Sequence, residues 1–312
     1  MGFLKTVNME KINTFIFVPV IPDFIEKALE TLHKFTPPNF QVIIIDQTID
    51  GVYQKVSKYN PEIYMKVYRN MGFSKAMNMG ARIATTKYVT FANDDIEWIN
   101  TKWWQGIEDT FAMDEKIVAV NPNSSKIAMW GYGCDHFTKF ELLPQAECET
   151  EAGYNYLVKG DYTNHKNSTI MDAGVEKPLP ASFPLTQAGV IDAIATWCPV
   201  FKRDIFWALG GFEERYYPGG GEDHDLNARA YSKGLRMVGT MKSWVWHHWS
   251  SSRDHPEKLP PLREDLIWNN HDELWPPEWN EGHKMDPWGH YTNSKNERIP
   301  LKRMPIVTTI PL

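Results

Sequence analysis

Apolar positions in the first half of the chain fall into short continuous runs separated by stretches of helical spacing. Thr14 to Val20 is an apolar run with β-branched and aromatic members, ended by Pro19 and Pro22. Phe24 to Phe35 then sets Ile25, Ala28, Leu29 and Leu32 three and four residues apart, one buried face of a helix. Gln41 to Ile45 is a second buried run, closed by Asp46. Met65 to Tyr68 predicts a short third strand, Lys75 to Ala84 a helix, and Tyr88 to Ala92 a strand closed by Asn93-Asp94-Asp95. Strands of this kind alternating with helices predict an α/β fold, a parallel sheet covered on both faces. Ligands of such sheets sit beyond the carboxyl ends of the strands. Asp46 and the Asn93-Asp94-Asp95 cluster are therefore expected near each other.

The pattern weakens from about Asn121 to Leu185, where Asn, Gly, Tyr, Thr and Lys mix without period. This predicts an irregular insertion or a β-rich excursion. Regularity returns over Ala188 to Phe201, then a helix near Arg203 to Leu209, broken by Gly210-Gly211. A helix over Asp223 to Lys233 stops at Gly234, and Met237 to Trp246 reads as a strand. After about Asp254 the chain is rich in Pro and Trp and is expected to wrap the domain surface.

Composition narrows the function classes. With 33 basic and 39 acidic side chains in 312 residues, the net charge is -6, which argues against non-specific nucleic-acid binding. Hydrophobic residues make up 42%, enough to exclude disorder as the main state. Cys134, Cys148 and Cys198 show no CxxC or CxC spacing, so a reducing compartment and a cytoplasmic location are expected. No apolar run approaches the roughly 18–20 residues of a membrane span, and no cleavage site follows the first strand. Met1-Gly2-Phe3-Leu4-Lys5-Thr6 matches a myristoylation pattern by chance more often than by function, and the internal His271-Asp272-Glu273-Leu274 is not at a C-terminus. The 13 Trp exceed the usual share. Trp is a flat platform for sugar rings as well as a core filler; Trp130, Trp197 and Trp249 are the candidates for stacking.

Four segments carry candidate chemistry. Adjacent carboxylates in Asn93-Asp94-Asp95 repel unless a cation or hydrogen-bond donors compensate, and magnesium typically binds one or two carboxylates plus substrate phosphates. Gly219-Gly220-Gly221-Glu222-Asp223-His224-Asp225 combines a permissive backbone with more acid than capping a helix requires, so it can supply a general base. Trp244 to Ser250 holds His247 and His248 after a strand. A His joined to Asp95 on one ion would favour manganese over calcium. Arg69 to Gly80 is a loop entering a helix, where Arg69 and Lys75 suit a diphosphate.

These segments, in this order, resemble the GT-A nucleotide-sugar glycosyltransferases, family two in particular, over roughly Asn13 to Ser252. Gly210-Gly211-Phe212-Glu213-Glu214 and Arg229 add to the match. The resemblance implies a Rossmann-like, mostly parallel central sheet flanked by helices. It implies a domain over 1–253, with a donor half at about 10–120 and an acceptor or catalytic half at about 121–253. The Pro- and Trp-rich extension over 254–312 is expected to pack on it. Asp46 looks like the acid that holds the nucleotide base, and Arg69, Asn70, Gly72 and Lys75 lie near the donor. Asn93, Asp94 and Asp95 look like the DXD-type motif, with Asp95 and His247 as metal ligands and His248 as the alternative to His247. Asp223 looks like the catalytic base, with Glu222 as its substitute. Two positions depart from the pattern: the second strand ends Asp46-Gln47-Thr48, without a second acid, and Asn93 stands where Asp is usual.

The implied activity is transfer of a sugar from a nucleoside-diphosphate donor, UDP by default, to an acceptor hydroxyl with inversion, supported by Mn2+ or Mg2+. The acceptor (glycan, small molecule, lipid, protein or modified nucleic acid) and the oligomeric state stay open. Rival readings are a retaining transferase on the same fold, a nucleotidyltransferase and a non-catalytic sugar-binding relative. The nucleotidyltransferase lacks its Gly-rich loop at Pro19 to Asp23; the binding protein has no use for a base at Asp223.

Overall fold

A strand at the centre of a covered sheet buries both of its faces, and the first apolar run of the chain founds the sheet in this way. The computed structural model describes residues 10–124 and 196–248, with the short segments 129–130, 137–139, 169–172, 175–178, 190–192, 284–285 and 291–292. Strand β1 (Asn13–Phe17) is buried throughout. It is followed by α1 (Ile25–Phe35), β2 (Phe40–Asp46), a short α2 (Tyr53–Val56), β3 (Ile63–Lys66), α3 (Phe73–Ile83) and β4 (Tyr88–Ala92). Next come β5 (Ile96–Trp98), α4 (Trp103–Phe111) and β6 (Ile117–Ser124). Four short strands, β7 (Met129–Trp130), β8 (Phe137–Lys139), β9 (Thr169–Asp172) and β10 (Val175–Pro178), form a small antiparallel sheet. The chain rejoins the main sheet as β11 (Val190–Asp192) and β12 (Val200–Lys202), then runs through α5 (Arg203–Ala208), α6 (Glu222–Ser232) and β13 (Arg236–His247). A final pair, β14 (Lys284–Met285) and β15 (Tyr291–Thr292), is antiparallel.

Among the described residues the main sheet has nine strands in the order β11-β13-β6-β12-β4-β1-β2-β3, with β5 pairing β13 off this path. β3, β2, β1 and β4 are mutually parallel. β1 pairs with β2 on one side and β4 on the other, so the strand order reverses at β1. That reversal opens a crevice beyond the strand ends. The register puts Ile44 and Ala92 both opposite Phe17. Asp46 ends β2 and the Asn93-Asp94-Asp95 turn follows β4, so both stand at the same end of the sheet with β1 between their strands.

The alternation of side chains splits the core in two. Phe15, Phe17, Val42 and Ile44 face one layer with α1, α4, Trp98 and Trp103. Ile16, Ile43, Ile45 and Phe91 face the other, with Met77 of α3, Phe206 of α5 and Leu226 of α6. Each such aromatic or aliphatic side chain contributes about 2–3 kcal/mol by leaving water. Gly80 lets α3 press on β1: a Cβ there would stand 2.4 Å from Ile16 Cγ2.

Three features differ from the sequence pattern. The third strand lies at Ile63–Lys66 rather than Met65 to Tyr68, because its partner β2 ends at Asp46, opposite Lys66. Tyr68 is then left 89% exposed. Helix α4 and strand β6 carry no expectation from the sequence. The sheet also contains β12, antiparallel to both β4 and β6. No helix among the described residues is long and apolar enough to cross a membrane. Cys198 is buried and unpaired, its thiol pKa pushed well up by burial. Cys134, Cys148, Trp130's side chain and Trp249 lie outside the described residues.

Candidate active site

The Asn93-Asp94-Asp95 turn follows β4 and leads straight into β5, which pairs with the end of β13 so that Ile96 stands opposite His247. This pairing brings Asp95 Oδ1 to 3.0 Å from His247 Nε2. Asn93 Nδ2 lies 3.4 Å from the same nitrogen. The ring of Trp197 stacks on His247 at 6.4 Å between centroids. Trp197 is buried and its indole N–H donates to the carbonyl of Pro122. It therefore braces the imidazole, and it is not the exposed sugar platform the sequence allowed. Asp94 Oδ2 is buried without a hydrogen-bond partner. Loss of hydration and the charge of Asp95 push its pKa up to about 8.

A carboxylate oxygen facing an imidazole nitrogen at 3.0 Å needs a proton or a cation between them. With an unsatisfied carboxylate alongside, this donor set fits a divalent cation that accepts mixed oxygen and nitrogen ligands. Among the described residues no three such ligand side chains converge. Two protein ligands suffice where substrate phosphates complete the shell.

The glycine loop and α6 join this centre through Thr196, the neighbour of Trp197. Thr196 Oγ1 donates to Glu222 Oε1 at 3.2 Å, and the Gly220 amide donates to Glu222 Oε2. Burial and the adjoining Asp223 charge push Glu222 up to about 7. Asp223 is half-buried, and its carbonyl accepts from Asn227 Nδ2. Asp225 is fully buried and pairs with Arg229 at 2.8 Å. Arg229 also donates to the carbonyls of Leu209 and Gly211. Asn78 of α3 exchanges hydrogen bonds with both backbone groups of Phe212. Asp225, Arg229, Asn78 and the Gly210 to Glu214 turn are thus scaffold.

The donor-side loop is tied to both neighbours. Asn70 Oδ1 accepts the Gly72 amide at 2.9 Å, and the Asn70 carbonyl accepts the Tyr217 hydroxyl. Gly72 has φ +83°, and a Cβ there would lie 2.7 Å from Tyr217 Cδ2. The Phe73 amide, first in α3, donates to the Pro218 carbonyl, so this donor of the expected diphosphate cradle is spent on the protein. Arg69 is exposed and Lys75 half-buried. Arg69 lines a surface cavity of about 320 Å³ with Val67, Tyr68 and Met71. Gln47 Oε1 accepts the Met71 amide at 2.8 Å. At the missing second acid, Gln47 thus bridges two loops of the crevice.

Asp46 is fully buried, and its oxygens are engaged by the loop that follows it and by Tyr64 of β3. Oδ1 accepts the Thr48 amide and hydroxyl, and Oδ2 accepts the Val52 amide and the Tyr64 hydroxyl. Burial and the Asp46 carboxylate push the Tyr64 phenol up to about 12, which keeps it a donor. His248 Nε2 lies 2.7 Å from Glu97 Oε1. The two histidines therefore take separate carboxylates. The roles of Gln47, Thr196 and Glu97 had no sequence signal beyond their place beside a motif or strand end.

Residues 17–150 match the family model described as Glycosyl transferase family 2. The mannosyltransferase PcManGT from Pyrobaculum calidifontis, solved with GDP-Man and Mn2+, superposes with a TM-score of 0.50 at 16% identity, over 80% of this chain and 60% of that one. GalNAc-T7, solved with UDP, GalNAc and Mn2+, superposes at 0.53 and 14% identity, over 77% and 44%. The chain has the GT-A fold of these two glycosyltransferases. The O-antigen biosynthesis protein RfbC of Myxococcus xanthus is 38% identical over 237 residues, 74% of this chain. The chain spans only 17% of that relative's length. Within the GT-A frame, Asp46 and the Asn93-Asp94-Asp95 turn stand at the strand-order reversal where the sheet opens.

Proposed function

We propose that this GT-A domain moves a sugar from a nucleoside-diphosphate donor, a UDP-sugar first, to an acceptor hydroxyl with inversion at the anomeric carbon. The observation that carries the reading is the contiguous set at the sheet's carboxyl end. Asp95 meets His247, Trp197 backs His247, and Thr196 beside it holds Glu222 next to Asp223. Mn2+ in solved structures of the same fold supports the metal. A cation held by Asp95 and His247 would supply positive charge for the leaving diphosphate.

The chain's own residues do the rest. Asp223 takes the proton from the acceptor hydroxyl. Glu222, with both oxygens occupied, holds the glycine loop and leaves the base role to its neighbour. Asn70, Gly72 and Gln47 shape the donor loop, and Arg69 and Lys75 bring positive charge to its rim. Asp46 serves the nucleotide base through the loop it organises.

A thermal-shift series with UDP, GDP and dTDP, each with and without Mn2+, tests the reading. A native-state ligand at a hundredfold excess over its Kd stabilises by about 2.7 kcal/mol. One diphosphate is expected to raise the Tm only with Mn2+, and Asp95→Ala is expected to abolish the shift. No shift under any condition overturns the proposal. NMR of the product's anomeric proton then checks inversion.

A further inference from the structure

We propose that Glu97 and His248 form a clamp that presets Asp95 and His247 for a divalent cation, with Glu97 a positioning residue and not a ligand. The inference rests on the metal-dependent reading above; it adds Glu97, which the motif pattern did not contain, and gives His248 a role other than ligand.

β5 is only three residues long, and it pairs with the last three residues of β13, Val245, Trp246 and His247, where β6 reaches only as far as Val245. A three-residue pairing at a strand end frays readily, because each added hydrogen bond barely offsets the entropy of ordering the chain. Two further contacts extend this one. The His248 amide donates to the Asp95 carbonyl at 2.9 Å, continuing the pairing past both proposed ligands. The His248 imidazole then meets Glu97 Oε1 at 2.7 Å, the length of a charge-assisted hydrogen bond. His248 meets Glu97 within the pairing, while His247 meets Asp95, which belongs to the turn before β5 and so does not follow that strand's alternation. The Glu97 side chain is only 10% exposed, against 39% for His248. The ring of Phe24 stacks on His248 at 6.4 Å, as Trp197 stacks on His247.

Each proposed ligand is thus backbone-locked to the other by a pair of residues one or two positions away. Outer partners of this sort orient metal ligands, and their loss typically weakens metal affinity about 10–100-fold.

The test is a titration with MnCl2 followed by EPR, on wild type, Glu97→Ala, Glu97→Gln and Asp95→Ala, with UDP present throughout. Glu97→Ala is expected to weaken Mn2+ binding about 10–100-fold, and Glu97→Gln, which keeps an acceptor for His248, to recover most of it. In metal-free protein, Glu97→Ala is expected to speed hydrogen exchange at the His248 amide, with a Tm close to wild type. If Glu97→Ala binds Mn2+ like wild type while Asp95→Ala does not bind, the clamp is wrong and the metal reading stands. Unchanged exchange at His248 overturns the clamp as well. If wild type itself binds no Mn2+, the clamp and the metal reading fall together.

Discussion

Asp46 and Glu222 show how far a carboxylate's position can be read without its partners. Both were legible as strand-end and helix-start acids, because a polar residue at the end of an apolar run marks the crevice. Their partners were not legible, since Thr48, Val52, Tyr64 and Thr196 converge only once the chain has folded. Asp46→Ala leaves four buried or half-buried donors without their acceptor, and it is expected to cost about 3 kcal/mol or more in urea unfolding. A cost below about 1 kcal/mol would mean that the loop does not depend on this carboxylate. For Glu222 the sign follows from its raised value of about 7, against 4.5 for an unperturbed side chain. Below pH 4.5 both folded and unfolded chains hold the proton, and stability is unaffected. Between there and about 7 the unfolded chain ionises first, so stability falls as pH rises, by roughly 1.4 kcal/mol per unit. Glu222→Gln removes that decline. Its Tm is expected to match wild type near pH 5 and exceed it at pH 8; parallel curves would refute the assignment.

The elements divide by length. β1, β2, β4, α1 and α3 were legible because five or more residues repeat one pattern. β5, β11 and β12 have three residues each, too few for any period, and so the antiparallel β12 went unread. α4 hid behind its own composition: Trp103, Trp104 and Ile107 are its buried face, and Trp reads equally well as core or as platform. The Gly210 to Glu214 turn, which counted toward the resemblance, belongs to the joint between α3, α5 and α6. Asn78→Ala breaks that joint and leaves the Phe212 amide unpaired. A loss of about 2–4 kcal/mol is expected, with nucleotide affinity per folded molecule little changed. A large drop in affinity at unchanged stability would place Asn78 in the site instead.

At the scale of the molecule, β1 and β4 lie inside the sheet and β3 at its edge. Hydrogen exchange is expected to release β1 and β4 amides only on global unfolding and those of β3 much earlier. Equal protection would mean that the edge is covered. The parallel half of the sheet was legible as a whole; the half beyond β12 was not, because its strands pair out of chain order. The chain quits that half at Ser124 and rejoins it at Val190, and β6 and β11 flank the same strand, β13, one parallel and one antiparallel. The two points thus lie toward one end of the sheet, separated by a gap on the order of 10 Å. A handful of residues closes such a gap, and lengthening a loop between fixed ends costs only about 0.6 kcal/mol per doubling. This makes 125–189 an exchangeable cassette: a different segment can be spliced between the two anchored posts while the sheet that carries them is kept.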